Sequence, residues 1–412
     1  MIDPAVIMYA SPLFVILIIG EFLYGKARNT NTYRLNDTFM SISLGVISRF
    51  PYLLNLGLAA YTYSVVTQRY SINISFLDEQ FVWIISFIFY DFLYYWSHRA
   101  RHRINILWAA HSVHHHGEEF NLSTALRQTS SGFLITWIFF IPAFMAGIPP
   151  HVFATVAAFN LIYQFWVHTE HVAKLGFLEF FMVTPSNHRV HHAKNKEYLD
   201  SNYGGVFILW DRIFGTFVEE KTEIRVVYGT VIPLRSWNPF WANISGYVSL
   251  VINFLRAENF RAKVWVLFCP PAPCPETPIV KYSSHISLST DVCKFDPPMG
   301  VFQKLDLWVQ LFFVLLSSAS IAYELGDIDK TEMFVLCGGI IYSTFVSSLA
   351  AVNNQSAFLI ANTLRVGLIF GIYLFLNPNL LITQIYILFV GVSIFCMCIW
   401  AAILKYSRLK AC

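Results

Sequence analysis

Nine stretches of this 412-residue chain are apolar for long enough to cross a bilayer, and they limit its possible folds more than any other feature. A helix that spans the hydrocarbon core needs about 20 mostly apolar residues, and inside lipid it must satisfy all its backbone polar groups internally. The runs lie at roughly 5–23, 40–66, 81–97, 132–148, 150–168, 307–323, 333–352, 357–376 and 379–403. The second carries Arg49 and Pro51, so a kink or a fold-back is expected there. The first lacks a small-residue cleavage site after a short apolar core and reads as an uncleaved anchor. Only 13% of residues are charged and 56% are hydrophobic. A soluble domain carries about twice that charged fraction.

Net charge is +3 with Lys and Arg scattered, so nothing points to a nucleic-acid partner. The seven cysteines give no disulfide framework. Cys337, Cys396 and Cys398 lie in apolar runs, while Cys269 and Cys274 flank a Pro-rich stretch with no second pair to complete a zinc site. Basic residues flank the spans unevenly. Lys26, Arg28 and Arg34 follow the first, Arg99, Arg101 and Arg103 the third, and Lys405, Arg408 and Lys410 the last. Alternation through nine spans puts all three groups on the cytosolic side and the acidic stretch 324–332 on the lumenal side. The 169–306 segment is the longest polar part. Within it, 236–256 reads as a helix lying in the membrane interface.

Twelve of the thirteen histidines fall between His98 and His192. Ionisable groups beside apolar spans are costly and usually serve a function. The pattern is His98-x3-His102, His111-x2-His114-His115 and His188-x2-His191-His192. Residues three or four apart share one face of a helix, so each box can aim two or three imidazoles at one point. Eight imidazoles exceed one tetrahedral ion and suit two metal ions with open positions. Imidazole-rich sites accept iron, zinc or copper, and the residues alone leave that choice open. His168 ends the fifth run and is a candidate ninth ligand. His171 and His116 are weaker candidates, and His151 and His285 read as packing or interface residues.

Two dications held by neutral imidazoles leave a large positive charge, which a nearby anion should offset. Glu118 is the candidate carboxylate for that catalytic role, with Glu119 and Glu170 also close in sequence. Asp91, Tyr94, Tyr95 and His98 form one stripe of the third run, where they could orient ligands.

These boxes, with NYGG and LWDRIFGTF between Asn202 and Phe217, resemble those of the fatty acid hydroxylase/sterol desaturase superfamily over roughly residues 80–220. A narrower resemblance is to the branch of that superfamily that cleaves alkylglycerols. It rests on RLNDTFMSISLGVISR (34–49), NLSTALRQ (121–128), LIYQFWVHTE (161–170), TPSNHRVHH (184–192) and VVYG (226–229). The resemblance implies an endoplasmic reticulum enzyme that uses a di-iron centre, O2 and tetrahydrobiopterin to open the ether bond of a lipid substrate. It carries the eight box histidines over as iron ligands. One position departs from it: Arg103 follows His102 where the resemblance leads us to expect an acid.

The expected fold is therefore all-α, a polytopic transmembrane helical protein with a histidine-rich di-iron site at the cytosolic face. The expected layout is N-terminal spans over 1–80, a catalytic domain over 81–230, an interfacial linker over 231–306 and C-terminal spans over 307–412. Two other readings compete. One is a sterol or fatty acyl hydroxylase or desaturase fed by cytochrome b5, against which the long C-terminal spans argue. The other is a metal transporter or scaffold, which would place its ligands at mid-bilayer on broken, repeated helices.

Overall fold

The computed structural model describes residues 4–54, 58–74, 76–271, 294–349 and 355–411. His285 and Cys274 lie outside them. Among the described residues the secondary structure is helical, with two isolated antiparallel bridges, Met182 to Phe207 and Ala193 to Tyr228.

Five helices, rather than the expected nine, are long and apolar enough to span: Ala10–Ala27, Val301–Tyr323, Lys330–Ser348, Phe358–Phe375 and Leu381–Trp400. The other four runs fail for separate reasons. The 40–66 run divides into the helices Leu35–Ile47, Phe50–Leu53 and Leu58–Tyr70, breaking at Ser48-Arg49 just ahead of Pro51. The Glu79–Arg103 helix is long enough, but it carries Asp91, Ser97, His98 and His102 on its buried face. The 132–148 run breaks into 3-10 turns and the short helix Ile141–Met145. Its start is stitched sideways, since the Ser130 amide donates to Asn243 Oδ1 at 2.9 Å and Ser131 Oγ bonds Tyr247 Oη at 2.8 Å. At its end Gly147 takes φ +77°, and a Cβ there would lie 2.1 Å from the Ile72 carbonyl oxygen, so only glycine fits. The 150–168 run becomes the 17-residue helix Pro150–Trp166.

The chain forms two compact units. The first comprises 1–34, 56–235 and 241–294 and holds all twelve clustered histidines. An aromatic core of Tyr90, Phe140, Phe144 and Phe153 packs the Glu79–Arg103 helix against its neighbours. The second comprises 35–55, 236–240 and 295–412, with the four C-terminal spans around Phe313, Leu336, Ile340 and Tyr386. Packing between apolar spans has no hydrophobic drive in lipid, so polar pairs add the specificity. Arg365, 1% exposed, donates to Ser347, Asn362 and Asp306, and Gln310 links Thr344 to Ser343.

Candidate metal centre

Three helices and one chain turn deliver the histidines. The Glu79–Arg103 helix carries His98 and His102, and Asn105–His115 carries His111, His114 and His115. Pro185–His192 carries His188, His191 and His192. Its start is fixed by Pro185 and by Thr184, whose Oγ1 accepts from the Asn187 amide at 3.4 Å. Both flanks are pinned by backbone bonds, Val183 N to Val206 O and Lys194 N to Val227 O, each at 2.8 Å. His168 follows Val167, which caps the end of Pro150–Trp166.

The structure gathers these nine residues into two groups. His98, His102, His111, His115 and His191 form one, and His114, His168, His188 and His192 the other. Within each, one nitrogen per residue lies within 4.8 Å of all the rest. The division follows from helix geometry. Successive residues point about 100° apart, so His114 and His115 diverge, as do His191 and His192, while pairs four apart stay together. All nine rings are buried, and among the described residues no carboxylate joins either group.

The hydrogen bonds fix the imidazole tautomers. The Nδ1 atoms of His98, His114, His168 and His191 reach the backbone carbonyls of Tyr203, Arg127, Gln164 and Ser201 at 2.9, 2.9, 2.7 and 3.0 Å. A carbonyl only accepts, so Nδ1 carries the hydrogen and Nε2 presents a lone pair. Burial pushes the His114 imidazole down to about 4 and that of His191 to about 3, which keeps both neutral at pH 7. Buried His102 Nε2 and His191 Nε2 have no hydrogen-bond partner. Converging lone pairs and orphaned nitrogens in a dry site are unfavourable unless a cation collects them, so the residues fit a pair of bound metal ions.

Two of the four carbonyls sit on the loop 201–205, and that loop has its own supports. Asp211 accepts from the Tyr203 and Gly204 amides, both at 2.7 Å. Asp91, fully buried, accepts from the Val206 and Phe207 amides, the Trp210 indole and Asn160. Asn202 bonds the Asn187 and Val218 carbonyls. At Gly205 a Cβ would lie 2.8 Å from Asp91 Oδ1. The NYGG and LWD motifs therefore form one device: the acids hold the loop, and the loop carbonyls aim His98 and His191. Asp91 acts on this loop and not directly on a histidine. Asp211 was missed as a functional residue in the sequence, although its place in the LWDRIFGTF motif was the available signal.

Other candidates fall elsewhere. Glu118 pairs with Arg34 at 3.1 Å, and Glu119 pairs with Arg34 and Lys294, each at 2.6 Å. His171 packs edge-on against Tyr24, and His151 packs against Trp83. His116 is half-buried beside the second box with its buried Nδ1 unpartnered, outside both groups. Arg103 pairs with Asp200 at 3.1 Å, and Asp200 also lies 3.8 Å from His102 Nδ1. Glu21 was also missed. It receives hydrogen bonds from the Leu122 amide at 2.7 Å and from the hydroxyls of Tyr33 and Thr169, joining the first span to the segments that hold Leu122 and Thr169. Aromatic rings wall the centre, with Trp108 against His102 and His115, and Phe120, stacked on Tyr228, against His168 and His192.

The sequence profile described as fatty acid hydroxylase matches residues 83–216, the segment that supplies all nine histidines. With its helical architecture and paired histidine groups, the chain thus carries a segment of the fatty acid hydroxylase class over those residues. Alkylglycerol monooxygenase of Xenopus tropicalis is 38% identical over 314 residues, 76% of this chain and 69% of the relative. That of Danio rerio is 38% identical over 314 residues, 76% and 70% of the two chains. The chain belongs to the alkylglycerol monooxygenase family. Lathosterol oxidase of Homo sapiens is more distant, 30% identical over 146 residues, 34% of this chain and 46% of the relative. No solved structure matches the chain.

Proposed function

We propose that this chain is a di-iron monooxygenase that cleaves the ether bond of 1-O-alkylglycerols and lyso-alkyl glycerolipids to a fatty aldehyde and a glycerol derivative, using O2 and tetrahydrobiopterin. The observation that carries the reading is the pairing of two all-histidine groups, five and four residues, through adjacent ring pairs on shared helices. The family relatives supply the substrate class by their name.

His98, His102, His111, His115 and His191 would hold one iron ion, and His114, His168, His188 and His192 the other. When bound, the metal pair supplies oxygen activation and the pterin supplies two electrons. In the net reaction one oxygen atom enters the C–H bond beside the ether oxygen and the other leaves as water. The resulting hemiacetal loses its C–O bond to glycerol and becomes the aldehyde. The chain's own work is positional. Burial keeps these imidazoles neutral, backbone carbonyls hold four of them with Nε2 facing inward, and Trp108, Phe120 and Tyr228 exclude water.

Location in the endoplasmic reticulum membrane with a cytosol-facing site is part of the same reading. Through five spans, alternation leaves the flanks Lys26, Arg28, Arg34 and Lys405, Arg408, Lys410 on the side of the histidines, and the acidic stretch 324–332 on the other.

The test is direct. Iron-loaded protein, an alkylglycerol, oxygen and tetrahydrobiopterin should yield fatty aldehyde, and His114→Ala should not. Folded, iron-loaded wild type that gives no aldehyde, or turns over only with cytochrome b5, would overturn the assignment.

A further inference from the structure

One short loop serves three of the five histidines in the larger group. The Ser201 carbonyl accepts the Nδ1 hydrogen of His191 at 3.0 Å, and the Tyr203 carbonyl that of His98 at 2.9 Å. Next to them in the chain, Asp200 sets its Oδ1 3.8 Å from Nδ1 of His102. Nε2 of His102 is buried without a hydrogen-bond partner. A neutral imidazole has one N–H and one lone pair. With the Nε2 lone pair given to a metal, the hydrogen stays on Nδ1, beside the carboxylate.

The backbone brings the carboxylate there. Asp200 has φ +58° and Asn202 φ +55°, the left-handed region that costs most side chains about 1–2 kcal/mol. The Asn202 side chain offsets that cost by donating to the Asn187 and Val218 carbonyls. The contacts of Asp200 are of another kind. Its Oδ2 accepts from Arg103 at 3.1 Å, and its Oδ1 lies beside the His102 ring. A non-glycine residue held in this region next to a site points to a use for its side chain.

The charge is one-sided. Among the described residues no other carboxylate pairs with any of the nine histidines. Glu118, expected from the sequence to offset the metal charge, is held by Arg34. In the four-histidine group, His114 and His168 donate to neutral carbonyls.

We infer that Asp200 is a positioning residue of the metal centre: it holds His102 through Nδ1 and places one negative charge behind the five-histidine ion. A carboxylate partner makes an imidazole a stronger donor to its metal and favours the higher charge on that metal. Arg103, which stands where an acid was expected, sits on the other carboxylate oxygen and moderates that charge. The five-histidine ion is therefore the easier of the two to oxidise. The inference rests on the metal binding proposed above and not on which substrate is cleaved.

Redox titration of the iron-loaded protein tests it. Asp200→Asn keeps an acceptor of the same shape and removes the charge. Iron content should hold, and the lower of the two midpoint potentials should rise. A tenfold loss of preference for Fe(III) over Fe(II) reads as about 59 mV. Asp200→Gly adopts positive φ freely and removes the acceptor as well, so one of the two irons should bind about 10–100-fold more weakly. Arg103→Ala should lower the same potential, and by less in the Asp200→Asn background, because Arg103 acts through the carboxylate. An unmoved potential in Asp200→Asn overturns the assignment, as do effects of the two substitutions that simply add. A wild type that takes up no iron overturns it together with the di-iron reading. The expected shifts in a protein whose wild type yields no aldehyde refute only the ether-cleaving reaction.

Discussion

His114 and His168 face each other with their Nε2 atoms 3.4 Å apart, while each spends its Nδ1 hydrogen on a backbone carbonyl. Two acceptors cannot hydrogen-bond, and a cation held between these rings would offset their repulsion. His168→Ala should therefore reduce metal content, with affinity at that group falling at least 10–100-fold, the range seen when groups that merely orient ligands are lost. Metal analysis of the purified variant beside wild type decides it, and undiminished content would remove His168 from the centre.

Asp211 should matter for metal retention although it touches no histidine. Asp211→Ala leaves the buried Tyr203 and Gly204 amides without their acceptor, at about 1–3 kcal/mol each. It also frees the Tyr203 carbonyl that aims His98. Iron content and thermal midpoint should fall together, and a metal-replete variant of normal activity would contradict this chain of contacts.

Acid should weaken the metal-free protein in a defined window. His114 and His191 are held, chiefly by desolvation, at about 4 and about 3, below the ordinary value near 6.5. Between those values the unfolded chain binds protons that the folded chain refuses. Stability thus rises with pH there and is lost as pH falls from about 6.5, by about 1.4 kcal/mol per pH unit for each such histidine. Denaturation midpoints of chelator-treated protein at pH 7 and pH 5 give the check, with the lower midpoint expected at pH 5.

Glu21 should anchor the first span to the centre. Glu21→Ala removes the acceptor of the Leu122 amide and of the Tyr33 and Thr169 hydroxyls. The cost should be about 1–3 kcal/mol for each buried donor left unpaired. The melting temperature of the detergent-solubilised protein should fall by several degrees, and an unchanged value would show that the span is held by packing alone.

The helical class and the nine gathered histidines were legible because both depend on local spacing. Apolar length marks membrane helices, and i, i+4 pairs mark faces. The partition into five and four was less legible, because it needs the Asn105–His115 and Pro185–His192 helices to be set facing each other. Hydropathy marks nine runs where five helices are long and apolar enough to span, partly because Phe140, Phe144 and Phe153 are apolar where they pack against one another. The surroundings of Glu118 were hidden for a similar reason. Its partner Arg34 lies 84 residues away in sequence, and Lys294, which joins the same cluster through Glu119, lies 175 residues from that acid.

The four imidazole hydrogens of His98, His114, His168 and His191 end on main-chain oxygens. A peptide oxygen is present whatever residue stands at Tyr203, Arg127, Gln164 or Ser201. Replacement at those positions can disturb packing but cannot delete the acceptor. Homologues can therefore diverge at all four and still present the same inward nitrogens, which confines heritable tuning of these four ligands to changes that move the backbone itself.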